Sequence, residues 1–207
     1  MRFVREEICI LLQIHYIYAD KLQFMKRIAL LFCLLTFSMT ALGADNVRFW
    51  EQYSEAEKSH VFNSGSIKTS VVGVYDDSLA IGDNEETFKI LDFLSGYKYG
   101  HYADGIVDAF YIHCFSKILR KADGALSEVM GEYCMRIIKK SPDYAILYLK
   151  AHGDIREAFV MHIGFEVLCS DNQDLIYENL RKCLKSNPSF AEEFVTAVKS
   201  QVLQTER

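Results

Sequence analysis

His101, Asp104 and Asp108 fall at i, i+3 and i+7, a spacing that puts an imidazole and two carboxylates on one helix face. Such a set can bind a divalent cation or pair a general base with the carboxylate that orients it. A small-molecule binder or hydrolase with a pocket between helices would use these three residues. The competing reading is local: acidic side chains in a first turn favour the positive pole of the helix, with His101 in the joint ahead of it. No further ligand is identifiable, so neither a metal nor any other cofactor is assigned.

The other reactive types give weaker patterns. His113 precedes Cys114, but neighbours on a helix point in different directions, so the imidazole is badly placed to activate the thiol. His113 and His162 both read as satisfied interior histidines. The chain has no GxSxG, no HExxH and no glycine-rich phosphate loop, so no catalytic residue is nominated. Tyr97, Tyr99 and Tyr102 surround Gly96, Lys98 and Gly100. On an irregular joint they supply the amphipathic contact area of an interface hot spot, or else wedge between helices as core. Tyr75, Asp76 and Asp77 lie in a second irregular stretch and complete the candidate binding surface.

These side chains must be positioned by helices. Half of the 207 residues are hydrophobic and only two are proline, which supports a substantial core and favours helices over a turn-rich sandwich. Helical spacing of apolar residues predicts elements over 47–62, 83–97, 101–121 and 125–140, followed by others to about Leu203. The 101–121 helix is apolar around most of its girth and should be sandwiched. The 158–169 stretch should be the most buried of all. Between 63 and 83 the pattern fails, and Ser70–Tyr75 with Ser78–Ile81 suggests either an irregular functional loop or a small β-hairpin.

Ser141-Pro142 and Asn187-Pro188 share one grammar: a capping residue, then proline at the first helical position. They stand 46 residues apart, each followed by an aromatic residue and alanine. In period and joint chemistry this resembles HEAT-like helix-pair solenoids. The expected fold is therefore all-α, an antiparallel helical array or bundle with HEAT-like pairs, in a single domain over 44–207.

The N-terminal part reads as targeting sequence. Met25-Lys26-Arg27, an apolar run over Ile28–Phe37 and a small-residue site at Ala41-Leu42-Gly43 make a secretory signal peptide over 25–43. Residues 1–24 are then an upstream extension outside the fold. Removing 1–43 takes away five basic and three acidic residues and leaves a formal charge of −7. The remaining basic residues are scattered, which argues against nucleic acid and against an anionic membrane surface as partners. An acidic exterior suits a basic protein partner.

Export also bears on the cysteines. Cys114 and Cys134 are each ten residues from Gly124; at equal height in an antiparallel hairpin they would form a disulfide. Cys169 and Cys183 fit a second bridge less well. Buried free thiols are the alternative for both pairs. The functional expectation is a periplasmic or secreted helical protein-binding module without catalysis, such as an inhibitor or an immunity-type protein. The pocket reading built on His101, Asp104 and Asp108 is its alternative.

Overall fold

The computed structural model describes residues 47–100 and 105–205. The leader and extension expected over 1–43, and the candidate residues His101, Tyr102 and Asp104, lie outside the described residues. Contacts divide the chain after Val47, and the unit from Arg48 onward carries the helices.

That unit is all-α. Among the described residues, a 3₁₀ turn at Trp50–Gln52 precedes nine helices: α1 Glu55–Asn63, α2 Thr69–Tyr75, α3 Glu85–Gly96, α4 Ile106–Lys121, α5 Gly124–Lys140, α6 Pro142–Ala151, α7 Gly153–Leu168, α8 Gln173–Cys183 and α9 Pro188–Thr205. There is no strand among the described residues. The hairpin expected near 63–83 is corrected to a helix. Val71, Val72 and Val74 favour a strand taken alone, but Val71 and Val74 are three apart and both fully buried. Helical spacing lets α2 seat both against α4, and burial overrides propensity.

Local chemistry sets the helix starts, and several differ from the pattern. The first predicted helix breaks at Tyr53-Ser54, because Ser54 and Glu57 form a reciprocal capping box, with Ser54 N donating to Glu57 Oε2 at 2.8 Å. Asn84 caps α3 through Thr87 N, and Asn172 caps α8 through Leu175 N. Asn187 caps α9 as expected, accepting from Phe190 N at 3.1 Å. Ser141 does not cap α6; its Oγ accepts from Tyr99 N at 2.8 Å, 42 positions away. Asp154, in the first turn of α7, pairs with Arg120 of α4 at 2.7 Å.

Helices α3, α5, α7 and α9 lie in sequence, each packed on the next, while α8 bridges α5, α7 and α9. Two glycines sit at the main crossings. A Cβ on Gly131 of α5 would lie 2.5 Å from the His162 carbonyl oxygen of α7. A Cβ on Gly164 of α7 would lie 2.9 Å from Gln201 Cγ of α9. Glycine costs helix propensity at both places, and here it permits close approach of the backbones.

Helix α4 is the centre, touching the 3₁₀ turn, α1, α2, α3 and α7. Eleven of its 16 residues are buried, against seven of 16 in α7. The sandwiched helix is thus as expected, while the most buried one is α4 and not α7.

The cysteine expectation is corrected. Cys114, Cys134, Cys169 and Cys183 are all free. Helix α5 packs chiefly on α3 and α7, so α4 and α5 do not form the close hairpin that a Cys114–Cys134 bridge requires. Cys114 faces α2, with Sγ 4.0 Å from the Val71 carbonyl oxygen, and burial pushes its thiol up to about 12. Cys134 is fully buried and shifted the same way. Both behave as small core residues. Cys169 is exposed at the end of α7 and Cys183 half-buried on α8.

Candidate functional site

Most of the nominated residues that can be described join two segments. Asp108, in the first turn of α4, is only 1% exposed. Its Oδ1 accepts from the Tyr97 hydroxyl at 2.8 Å and its Oδ2 from Gly100 N at 2.6 Å. A buried carboxylate needs such donors, and these fasten the 97–100 joint to α4. Gly100 adopts φ +77, a left-handed conformation that glycine enters without steric cost.

Tyr99 is buried; its hydroxyl donates to the Leu94 carbonyl at 2.8 Å, and its ring stacks on Tyr144 at 5.4 Å. Burial drives the Tyr99 and Tyr144 hydroxyls well above the ordinary phenol range. Tyr97 packs edge-on against Tyr99 and Tyr111. Of the two readings of this joint, Tyr99 follows the core wedge, and Tyr97 remains half-exposed beside it.

The 75–77 stretch is likewise tied down. Asp77, at φ 61, accepts from Lys117 at 2.8 Å and from Lys121 at 2.6 Å. Lys117 also donates to the Tyr75 carbonyl at 2.6 Å. The two lysines hold the Asp77 carboxyl at about 2. Asp76 accepts from Ser78 N in a local turn. The Tyr75 ring joins Trp50, Phe62 and Phe110 in one aromatic cluster.

Two features have no local signature in the sequence. The first is a carboxylate facing two imidazoles. Glu51 Oε1 lies 2.9 Å from His113 Nδ1, and Oε2 lies 3.8 Å from His152 Nε2. The three come from the 3₁₀ turn, α4 and the residue between α6 and α7. Glu51 is depressed to about 2, first by the hydrogen bond from His113 and further by the charges of both histidines. His113 is hydrogen-bonded, as expected of a satisfied histidine, but half-exposed where an interior position was expected. His162 does match that expectation, buried with Nδ1 3.2 Å from the Ser127 carbonyl and lowered by desolvation. The separation of 62 residues between Glu51 and His113 leaves no spacing to read. Among the described residues no group of three or more His, Cys, Asp or Glu is disposed to hold a metal ion.

The second feature is a groove of about 550 Å³ between α7 and α9. Val160, Phe190 and Phe194 line it, with Glu157 and the Arg156–Glu193 ion pair at its edge. Met161 at its margin is 47% exposed, and Phe165, one turn on, is 42% exposed. The apolar character of this stretch was plain in the sequence and was read as burial, although two of its large residues face out.

The molecule is an all-α helical array whose polar clusters fasten irregular segments to its central helix. The chain matches no protein-family model, no curated protein and no solved structure. No helix among the described residues is long and apolar enough to cross a membrane.

Proposed function

We propose that the chain is an exported, non-catalytic protein-binding module that receives an apolar, basic-flanked segment of a partner protein in the α7–α9 groove. The observation that carries this reading is the exposed pair Met161 and Phe165. They stand one helical turn apart beside a groove floored by Phe190 and Phe194. Large apolar side chains presented together beside a concave floor are the anchors of helix-in-groove recognition. Glu157 and an acidic total charge favour a basic flank on the partner. The tying of Asp108, Asp77 and Tyr99 into internal contacts directs attention to this face.

The test is capture from a periplasmic extract with the full chain and with Met161→Asp/Phe165→Asp. Both side chains are exposed, so the double variant keeps its helical circular dichroism. The reading expects one stoichiometric protein, lost at least tenfold in affinity with the double variant and retained with Leu203→Asp, a change at another exposed apolar position. Equal binding by the double variant would refute the groove.

A further inference from the structure

The Glu51 cluster lies outside the proposed binding groove and answers to a different ligand, the proton. His152 Nδ1 is 3.0 Å from the Tyr148 carbonyl oxygen. A carbonyl only accepts, so the ring hydrogen sits on Nδ1. Neutral His152 then points the bare lone pair of Nε2 at Glu51 Oε2, acceptor against acceptor, across 3.8 Å. A second proton turns that same face into a cationic donor. On the other side His113 Nδ1 donates to Oε1 at 2.9 Å. The Glu51 carboxylate, held at about 2, stays charged across the interval in which histidines ordinarily change charge.

The neighbouring charges are already committed. On α4, Arg120 pairs with Asp154 of α7, and Lys117 with Asp77. On α1, Lys58 pairs with Glu55, and Glu57 with Arg48 ahead of the turn. Tyr75 of α2 faces His113 at 6.1 Å. Tyr144 and Tyr148 of α6 both feel the Glu51 charge, and burial keeps them protonated. His113 and His152 are the imidazoles that face the carboxylate.

What they hold is the first turn of the helical unit. The Phe49 ring sits edge-on to His152 at 4.8 Å and to Tyr148 at 5.4 Å. Trp50 inserts between Phe62, Tyr75 and Phe110 at 5.1–6.0 Å. We propose that Glu51, His113 and His152 form a proton-operated latch, in which a second proton on His152 clamps the Phe49–Gln52 turn onto α4 and α6. Loss of that proton leaves the turn held by its rings, the His113 hydrogen bond and Arg48, which donates to the Gln52 carbonyl at 2.8 Å and pairs with Glu57. The turn then opens more often and uncovers the aromatic face formed by Phe110 and Tyr148.

Trp50 is the single tryptophan of the chain and lies inside the latch, so its fluorescence reads the device directly. The experiment is acrylamide quenching of Trp50 in the full chain at pH 5.5 and 8.0, in wild type, Glu51→Gln, His152→Gln and His113→Gln. Wild type should be roughly two- to fivefold more quenchable at pH 8.0, the range expected of a partly exposed ion pair. Glu51→Gln and His152→Gln should abolish the difference, and His113→Gln should keep part of it. Urea midpoints provide the second reading, with Glu51→Gln costing more at pH 5.5 than at pH 8.0. Equal quenching of wild type at both pH values, or an undiminished response in His152→Gln, overturns the latch. An equal cost of Glu51→Gln at both pH values does the same.

Discussion

Two halves of this molecule are packed by opposite means. Around the 3₁₀ turn, α1, α2 and α4, short segments fill the interior with rings, and Trp50 alone meets Tyr53, Phe62, Tyr75, Phe110 and His113. Across α5, α7 and α9 the helices close up where side chains are missing, at Gly131 and Gly164. The difference follows from geometry. Short irregular pieces offer no long ridges to interlock, so large side chains must reach across the gaps. Full-length helices can lay backbone near backbone, and there any side chain at the crossing is an obstruction.

The comparison can be broken most forcefully at Trp50. Trp50→Ala should cost about 3–5 kcal/mol by removing a buried indole from a site its neighbours cannot refill, measured by urea unfolding. A cost below about 1 kcal/mol would mean that the rings are not what holds this half.

The glycine half breaks in the other direction, by addition. Gly131→Ala should cost about 1–3 kcal/mol, because the new methyl meets a backbone carbonyl that cannot step aside. Gly164→Ala should be milder, below about 1 kcal/mol, since Gln201 is a flexible side chain and alanine improves helix propensity. Equal costs at the two sites would remove the distinction between a backbone obstruction and a side-chain one.

The smallest effect concerns pH, and its sign differs between the halves. Glu51, at about 2 in the fold, contributes stability at mildly acidic pH that is lost as pH falls from the ordinary carboxylate range towards 2. Glu166 of α7 is raised, first by desolvation and then by Glu132. It therefore carries a penalty that grows as pH rises through the carboxylate range and disappears in acid. Glu51→Gln should destabilise at pH 6 and do so less at pH 3, whereas Glu166→Gln should stabilise at pH 6 and be silent at pH 3. Each shift should be roughly 0.2–1 kcal/mol, because both side chains are partly solvated. Paired urea midpoints at the two pH values give both signs.

Much of the fold was legible because helices announce themselves locally. The apolar stripes of α3, α4 and α5 and the proline at the start of α6 and of α9 depend on residues within a few positions of one another. The same reasoning erred where two local signals competed. Three valines spoke for a strand in α2, and the symmetry of Cys114 and Cys134 about Gly124 spoke for a hairpin between α4 and α5. Both times the choice of neighbour decided: α4 for α2, and α3 with α7 for α5.

The candidate sites fared less well, for the same reason. Tyr97, Tyr99, Asp108 and Asp77 were singled out as a candidate binding surface, and in the fold each makes internal contacts. A carboxylate whose oxygens receive Tyr97 and Gly100 N is a fastener, and no feature of residues 104–108 could have said so. Glu51, His113 and His152 were invisible as a set.

By itself the amino-acid sequence determined the helical class, the proline-marked helix starts and an acidic balance, since these rest on hydrogen bonding within a turn and on counting charges. Only the tertiary structure decided which helix became the centre, which cysteines stayed apart, and which carboxylate faced two imidazoles. Those outcomes depend on pairs of groups tens of residues apart, whose meeting is chosen by the packing of the whole array.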